Sequence, residues 1–155
     1  MTHQLQTRSG KNASIAEALT AVLADTYNLM FRTQTTHWNA TGPLFKSVHD
    51  LTDEQYNDLF QAIDALAERI RALGSKTPYS LDELQGFART SSTTKELNAT
   101  SMVSTLAADH AALAERFRDL ADLAGDHRDG ATEDLANARM AFHEQAAWML
   151  EALIE

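Results

Sequence analysis

Residues 14–38 read SIAEALTAVLADTYNLMFRTQTTHW, and this stretch decides the fold class. Its apolar and small residues recur every three or four positions, which is the periodicity of an amphipathic α-helix. Ser14 followed by Glu17 matches a capping box, a common start signal for a helix. We therefore expect a helix over about 14–38, roughly 37 Å long at 1.5 Å per residue. Its predicted inward residues are Ile15, Leu19, Val22, Thr26, Met30 and Thr33.

Three further segments carry the same periodicity. The second helix is predicted to run from about Thr52 to Gly74, which is a natural helix terminator. Thr52 and Gln55 match a second capping box at its start. The third is predicted from about Thr93, and the fourth from about Thr132 to the C-terminus. The predicted inward residues are Tyr56, Leu59, Ile63, Leu66, Ile70 and Leu73, then Leu106, His110, Leu113, Phe117 and Leu120, then Leu135, Phe142, Ala146, Met149 and Leu153.

The connections set the topology. Gly42-Pro43 breaks the chain between the first two helices, and the polar stretch 125–130 separates the last two. The long, irregular crossover 75–92 has room for one short helix opened by Ser80-Leu81-Asp82-Glu83. Two helical hairpins joined by such a crossover predict an all-α, ferritin-like four-helix bundle. We expect residues 1–13 to form a flexible tail and residues 14–155 to form the single domain.

Composition excludes several classes of protein. The 155 residues include no cysteine, so disulfides, zinc–thiolate sites and thiol catalysis are excluded. No apolar run resembles a signal peptide or a membrane span, so the cytoplasm is the expected compartment. The net charge of −9 favours the attraction of cations over binding to nucleic acid.

Two carboxylates on the second helix are the first candidate ligands. Asp64 and Glu68 stand at i and i+4, so they share a helix face, and they flank the apolar stripe. Paired carboxylates at the edge of an apolar face suit a hard cation. The alternative is a solvated face on which Glu68 pairs with Arg69 or Arg71.

Histidines near the first loop are the second group of candidates. His37 continues the inward stripe of the first helix, and His49 and Asp53 follow the loop one turn apart. Imidazole and carboxylate together suit iron or zinc, although a lone inward histidine is more often a core residue. No histidine has an acid three residues before it, so the Glu-x-x-His motif of a ferritin site inside the bundle is absent. We interpret His110 and His143 as structural.

The segment 37–69 resembles a known family. It contains His37-Trp38-Asn39-Ala40-Thr41-Gly42-Pro43-Leu44-Phe45, then His49, Asp53 and Asp64-Ala65-Leu66-Ala67-Glu68-Arg69. This order and spacing resemble the signature of Dps, the mini-ferritin named as the DNA-binding protein from starved cells. The resemblance extends to Asp129-x-x-Thr132-x-Asp134 and covers the chain from about Ser14 onward.

The resemblance implies a function and an assembly. It implies a hollow homododecamer that oxidises Fe(II), mainly with hydrogen peroxide and otherwise with O₂, and stores the ferric mineral. It further implies ferroxidase centres at subunit interfaces, with His37, His49 and Asp53 from one subunit and Asp64 and Glu68 from its two-fold partner. Zn²⁺ suits the same ligands and is a possible competing occupant.

Three further expectations are open to alternatives. Trp38 is an interface anchor or, by the resemblance, a radical sink beside the iron. Asp129 and Asp134 either stabilise the start of the fourth helix or, by the resemblance, line an acidic entrance pore. The family name suggests binding to nucleoid DNA as an alternative role, but the segment 1–13 offers only Arg8 and Lys11 as firm cations. We therefore expect DNA binding to be weak.

Overall fold

The computed structural model describes residues 2–91 and 96–155, and within those ranges it contains five helices and no strand. In chain order they are α1 Thr2–Asn39, α2 Phe45–Ala72, α3 Leu81–Gln85, α4 Ala99–Asp126 and α5 Gly130–Ala152. Helix α1 packs along α2, α4 packs along α5, and α1 also contacts α4. The predicted bundle of two hairpins is confirmed. In the described part of the chain, none of the helices is both long and apolar enough to cross a membrane.

The first two helices begin earlier than predicted. Helix α1 begins at Thr2, so Ser14 lies inside it, and α2 begins at Phe45 rather than near Thr52. The capping-box interpretation of both positions was wrong. The hydroxyl of Thr52 instead donates to the Val48 carbonyl at 2.6 Å, because a helical Ser or Thr can bond to the preceding turn. The division into a tail and a domain stays a prediction.

The other three helices begin at residues that cap them through their side chains. Ser80 accepts a hydrogen bond from the Glu83 amide, which confirms the predicted short helix in the crossover. Helix α4 begins later than predicted, and Asn98 caps it, since its side chain accepts from the Ser101 amide at 2.9 Å. Thr93 lies outside the described residues. Asp129 caps α5, which starts two residues before the predicted Thr132.

The core confirms the predicted faces of α2 and α4 but not that of α5. The central positions of the two stripes, including Leu59, Leu66, Leu106 and Phe117, are fully buried. On α5 the predicted inward residues Leu135, Phe142, Met149 and Leu153 are only partly buried. The buried face is displaced by about one residue and consists of Thr132, Ala136, Arg139, His143, Ala146, Ala147 and Leu150. Helix α5 carries apolar residues on both faces, so periodicity alone does not select one.

The crossover is held against α1 by a buried carboxylate. Asp25 is 1% exposed, and its Oδ1 accepts from the amides of Arg89 and Thr90 and from the Thr90 hydroxyl, at 2.8–2.9 Å. Its Oδ2 pairs with Arg116 of α4. One turn further along α1, the Asn28 amide donates to the Thr90 carbonyl at 3.0 Å. These bonds fix the path of the chain from the first hairpin to the second.

Two histidines lie in the centre of the bundle. His110 and His143 are both fully buried, and their Nδ1 atoms are 2.9 Å apart, so one imidazole donates to the other. Burial and the nearby charge of Arg139 lower the pKa of His110 to about 3. Burial, then His110, then Arg139 lower the pKa of His143 well below its ordinary value. The structural interpretation of both residues is supported, and His143 itself faces the core.

Acid is expected to destabilise the fold through this pair. An unfolded His110 takes up a proton near pH 6.5, whereas the folded one does so only near pH 3, so the unfolded state binds more protons in between. The two buried neutral histidines therefore cost no stability above about pH 6.5. Below that pH, each of them lowers the free energy of unfolding by about 1.4 kcal/mol per pH unit. The measurement is the apo protein's melting temperature between pH 4.5 and 7.5.

The matched variants are His110→Leu combined with His143→Leu, and His127→Gln as the control. Replacing both buried partners with apolar side chains should flatten the pH dependence below pH 6.5. The control should follow the parent. An unchanged slope in the double variant would show that other groups govern the acid response.

Candidate metal centre

His37 and His49 hold each other in place across the first loop. His37 lies near the end of α1 and His49 in the second turn of α2, and their rings stack at a centroid distance of 3.7 Å. The His37 Nδ1 donates to the His49 carbonyl at 2.9 Å, and the His49 Nδ1 donates to the His37 carbonyl at 3.1 Å. Because a carbonyl only accepts, each Nδ1 carries the ring proton. Each Nε2 therefore keeps its lone pair for a metal ion.

Asp53 lies one turn after His49, and its carboxylate is exposed. The Tyr56 hydroxyl donates to the Asp53 Oδ1 at 2.7 Å. The Tyr56 ring stands edge-on to the ring of His37 at a centroid distance of 5.3 Å. Tyr56 was predicted only as a core residue. Its spacing of three residues from Asp53 on one helix was the signal that could have revealed this bond.

Asp64 and Glu68 lie on the second half of α2, and both are exposed. The alternative interpretation holds in that both acids lie on a solvated face, but its pairing of Glu68 with Arg69 or Arg71 is wrong. Arg69 bonds to Asp129 and Thr132 at the start of α5, and Arg71 donates to the Ser75 carbonyl. Neither carboxylate makes a hydrogen bond or an ion pair in the part of the chain that is described. Both are therefore free to bind a cation.

The two groups of candidates do not meet within one chain. Asp53 and Asp64 are separated by about 17 Å along α2, at 1.5 Å per residue. Among the side chains that the structure describes, which exclude those of residues 1–9, 11 and 92–95, no three His, Asp or Glu come close enough together to hold a metal ion. The structure thus brings His37 and His49 together and leaves Asp64 and Glu68 apart from them.

The remaining candidates divide between structural and open roles. Asp129 accepts from the Thr132 amide and pairs with Arg69 at 2.7 Å, so it serves the cap of α5. Partial burial acts to raise the pKa of Asp129, but the hydrogen bonds from Thr132 and Arg69 outweigh it and lower the pKa. Asp134 is exposed, and Trp38 is 61% exposed beside His37. Their roles in a pore and as a radical sink stay predictions.

Comparison with known proteins identifies the family. The family model for the ferritin-like domain matches residues 16–155. An uncharacterized low temperature-induced protein of a Nostoc strain is 39% identical over 138 residues, covering 86% of this chain and 75% of the relative. The DNA protection during starvation protein of Brevibacillus brevis is 31% identical, covering 91% of this chain and 95% of the relative.

A solved structure agrees over almost the whole chain. The Dps protein of Vibrio cholerae, described as a member of a broad superfamily of ferritin-like diiron-carboxylate proteins, superimposes with a TM-score of 0.89 at 29% identity. The match covers 95% of this chain and 92% of that one. This chain therefore belongs to the Dps family of ferritin-like proteins.

Proposed function

We propose that the protein stores and detoxifies iron, oxidising Fe(II) at centres shared between two subunits of a dodecameric cage. Each centre takes His37, His49 and Asp53 from one subunit, and Asp64 and Glu68 of the partner subunit. The oxidant is preferably hydrogen peroxide, and the ferric product is deposited in the cavity. Membership of the Dps family, and the diiron-carboxylate superfamily to which its Vibrio cholerae relative is assigned, support this proposal.

The symmetric placement of the ligands on α2 is the observation that carries the proposal. His49 and Asp53 are one turn apart, Asp64 and Glu68 are one turn apart, and the two pairs are equidistant from a midpoint between Asp58 and Leu59. Two antiparallel copies of α2 related by a two-fold axis at that midpoint place His49 opposite Glu68 of the partner subunit. They also place Asp53 opposite Asp64 of the partner subunit. A two-fold interface produces two such sites at once.

The direction of the side chains fits the same pairing. At 100° per residue, the four α2 ligands fall within about 100° of the helix surface, on the side away from the core. Phe60 lies within this stripe, near its midpoint, and 67% of the residue is exposed. Large exposed aromatic side chains are typical of the centre of a protein interface. Pairing of two α2 helices would bury Phe60 at the two-fold axis.

The chemistry of the ligands suits iron oxidation. Neutral imidazole and carboxylate are donors that bind Fe(II), and anionic carboxylates favour Fe(III) further. Two Fe(II) ions give one electron each to one hydrogen peroxide, which takes up two protons and leaves as two water molecules. No hydroxyl radical is released when both electrons arrive together. Zn²⁺ fits the same donors and would act as a competing occupant.

An acidic route into the cage is a second part of the proposal. The net charge of −9 per chain attracts Fe(II) towards the shell. Of the two predicted pore residues, Asp134 is exposed and available to a pore, whereas Asp129 is paired with Arg69. We therefore assign the attraction of cations at the pore mainly to Asp134.

Replacing the partner's carboxylates should abolish fast iron oxidation. Asp64→Ala and Glu68→Ala are each expected to slow the oxidation of Fe(II) by hydrogen peroxide at least tenfold, since each removes a direct ligand. Stopped-flow absorbance of the ferric product measures the rate. Asp122→Ala removes an exposed carboxylate from α4 and is the control. If the two variants oxidise iron as fast as the parent, the assignment of the site is wrong.

DNA protection is the second candidate function, because curated relatives carry it in their names. Binding to DNA depends on neutralising phosphates with Lys and Arg. This chain has 13 such residues against 22 acidic ones, and twelve copies would each add a charge of −9. The charge therefore favours iron storage as the main role and direct DNA binding as a weak one.

A further inference from the structure

We propose that Tyr56 is a positioning residue for the iron site, which orients Asp53 so that one carboxylate oxygen faces the metal ion. This inference rests on the proposed function, because it assigns Asp53 as a ligand. It adds a residue that does not bind the metal itself. Tyr56 instead controls the geometry of Asp53, which does.

Asp53 needs such a support because of where it lies. Its side chain is exposed on the outer face of α2, where a short carboxylate is free to change rotamer. The Tyr56 hydroxyl, one turn later, bonds to Oδ1 at 2.7 Å. In the described part of the chain, the two other carboxylates of the proposed site have no comparable bond. Tyr56 therefore restrains the carboxylate that lies one helical turn after His49.

Tyr56 is itself fixed by its surroundings. The residue is only partly exposed, and its ring packs edge-on against His37 at a centroid distance of 5.3 Å. His37 is in turn held by its bond to the His49 carbonyl. One side chain thus touches the imidazole contributed by α1 and the carboxylate contributed by α2. Moving Tyr56 would disturb the relative position of both ligands.

The bond also selects how Asp53 binds. A phenol proton on Oδ1 occupies a lone pair of that oxygen and withdraws part of its negative charge. Among the described residues the Oδ2 atom has no such partner, so it is the oxygen that a cation meets first. We expect Asp53 to bind through Oδ2 alone while Tyr56 is present. Without the phenol, both oxygens become equivalent and the carboxylate can also chelate one ion.

The test uses Co²⁺ under anaerobic conditions as a spectroscopic probe of the site. Tyr56→Phe removes the hydroxyl and keeps the ring against His37. It is expected to weaken Co²⁺ binding about tenfold, the range seen when an outer-shell partner is lost, and to change the visible absorption of bound Co²⁺. Tyr79→Phe removes a phenol from a residue that is 81% exposed and is the control, expected to match the parent.

A double-mutant cycle with Asp53→Ala separates this role from a general effect on the fold. If Tyr56 acts through Asp53, then adding Tyr56→Phe to Asp53→Ala should change Co²⁺ affinity no further. An equal loss in both backgrounds would overturn the inference. So would parent-like binding by Tyr56→Phe when Asp53→Ala alone weakens Co²⁺, and in that case the proposed function would stand. If His37→Ala and Asp53→Ala both bind Co²⁺ as the parent does, the proposed function itself fails.

Discussion

Mixing two inactive chains is expected to restore about a quarter of the parent's iron sites, because each site would need ligands from both members of a two-fold pair. One chain carries His37→Ala and His49→Ala, and the other carries Asp64→Ala and Glu68→Ala. Each chain alone forms only incomplete sites. In a mixed pair, one site combines both defects, and the other combines the intact histidines with the intact acids.

The expected fraction follows from random assembly. About half of all pairs are mixed, and about half of the sites in a mixed pair are intact. The measurement is the amplitude of fast Fe(II) oxidation after the two chains are unfolded together and refolded. The rise should be large, since each chain alone is expected to be nearly inactive.

A matched mixture makes the result specific. Mixing Asp64→Ala with Glu68→Ala should restore nothing, because one partner supplies both acids to a site and every site then lacks one of them. If the site lay within a single chain, neither mixture would gain activity. Restoration in the Asp64→Ala and Glu68→Ala mixture alone would instead show that the two acids of one site come from different subunits.

The sequence predicted the buried face of a helix best where apolar periodicity pointed to a single side. The stripes of α2 and α4 were predicted because most of their apolar residues lie on one face, and burial follows that face. The face of α5 was misassigned because small and apolar residues occur on both sides of it, and the buried Arg139 and His143 are polar. Packing against neighbouring helices, which sequence periodicity does not contain, decides such a case.

Helix starts were less predictable for a related reason. Ser14 and Thr52 have the spacing of capping boxes, but a hydroxyl can bond either to an amide ahead of it or to a carbonyl behind it. The choice depends on whether the preceding residues can continue the helix. For Thr52 they do, because Val48 and the turn before it are already helical.

Part of the candidate site could be predicted from the sequence, and part of it could not. The order and spacing of His37, His49 and Asp53 were visible in the sequence, and the structure adds the reciprocal bonds that leave each Nε2 free. Those bonds run from side chain to backbone across a loop, and no pattern of residue types encodes them. The proposed role of Tyr56 was not visible in the sequence. Tyr56 lies at the edge of the apolar stripe of α2, and this position made it look like a core residue.

Loss of the buried carboxylate of Asp25 is expected to be the largest single effect on stability. Asp25→Ala leaves the Arg116 guanidinium and two backbone amides without their acceptor in a partly buried position. Removing one member of a buried ion pair is destabilising by about 3–5 kcal/mol. For a domain of this size, that corresponds to a melting temperature lower by about 10 °C or more.

The consequence should be concentrated at the crossover. The Asp25 carboxylate holds Arg89 and Thr90, which lead into the second hairpin, so their release should expose the crossover to proteases before the bundle unfolds. Thermal melting and limited proteolysis of the same samples measure the two effects. Glu17→Ala, which removes an exposed acid from α1, is the control and should leave both unchanged.

Asp25→Asn distinguishes the two functions of the carboxylate. An amide oxygen can still accept from the Arg89 and Thr90 amides, but the amide carries no charge to pair with Arg116. We expect a smaller loss of stability than in Asp25→Ala, and protection of the crossover close to that of the parent. Equal losses in the two variants would mean that the charge pairing with Arg116, rather than the bonds to the crossover, is what stabilises this part of the fold.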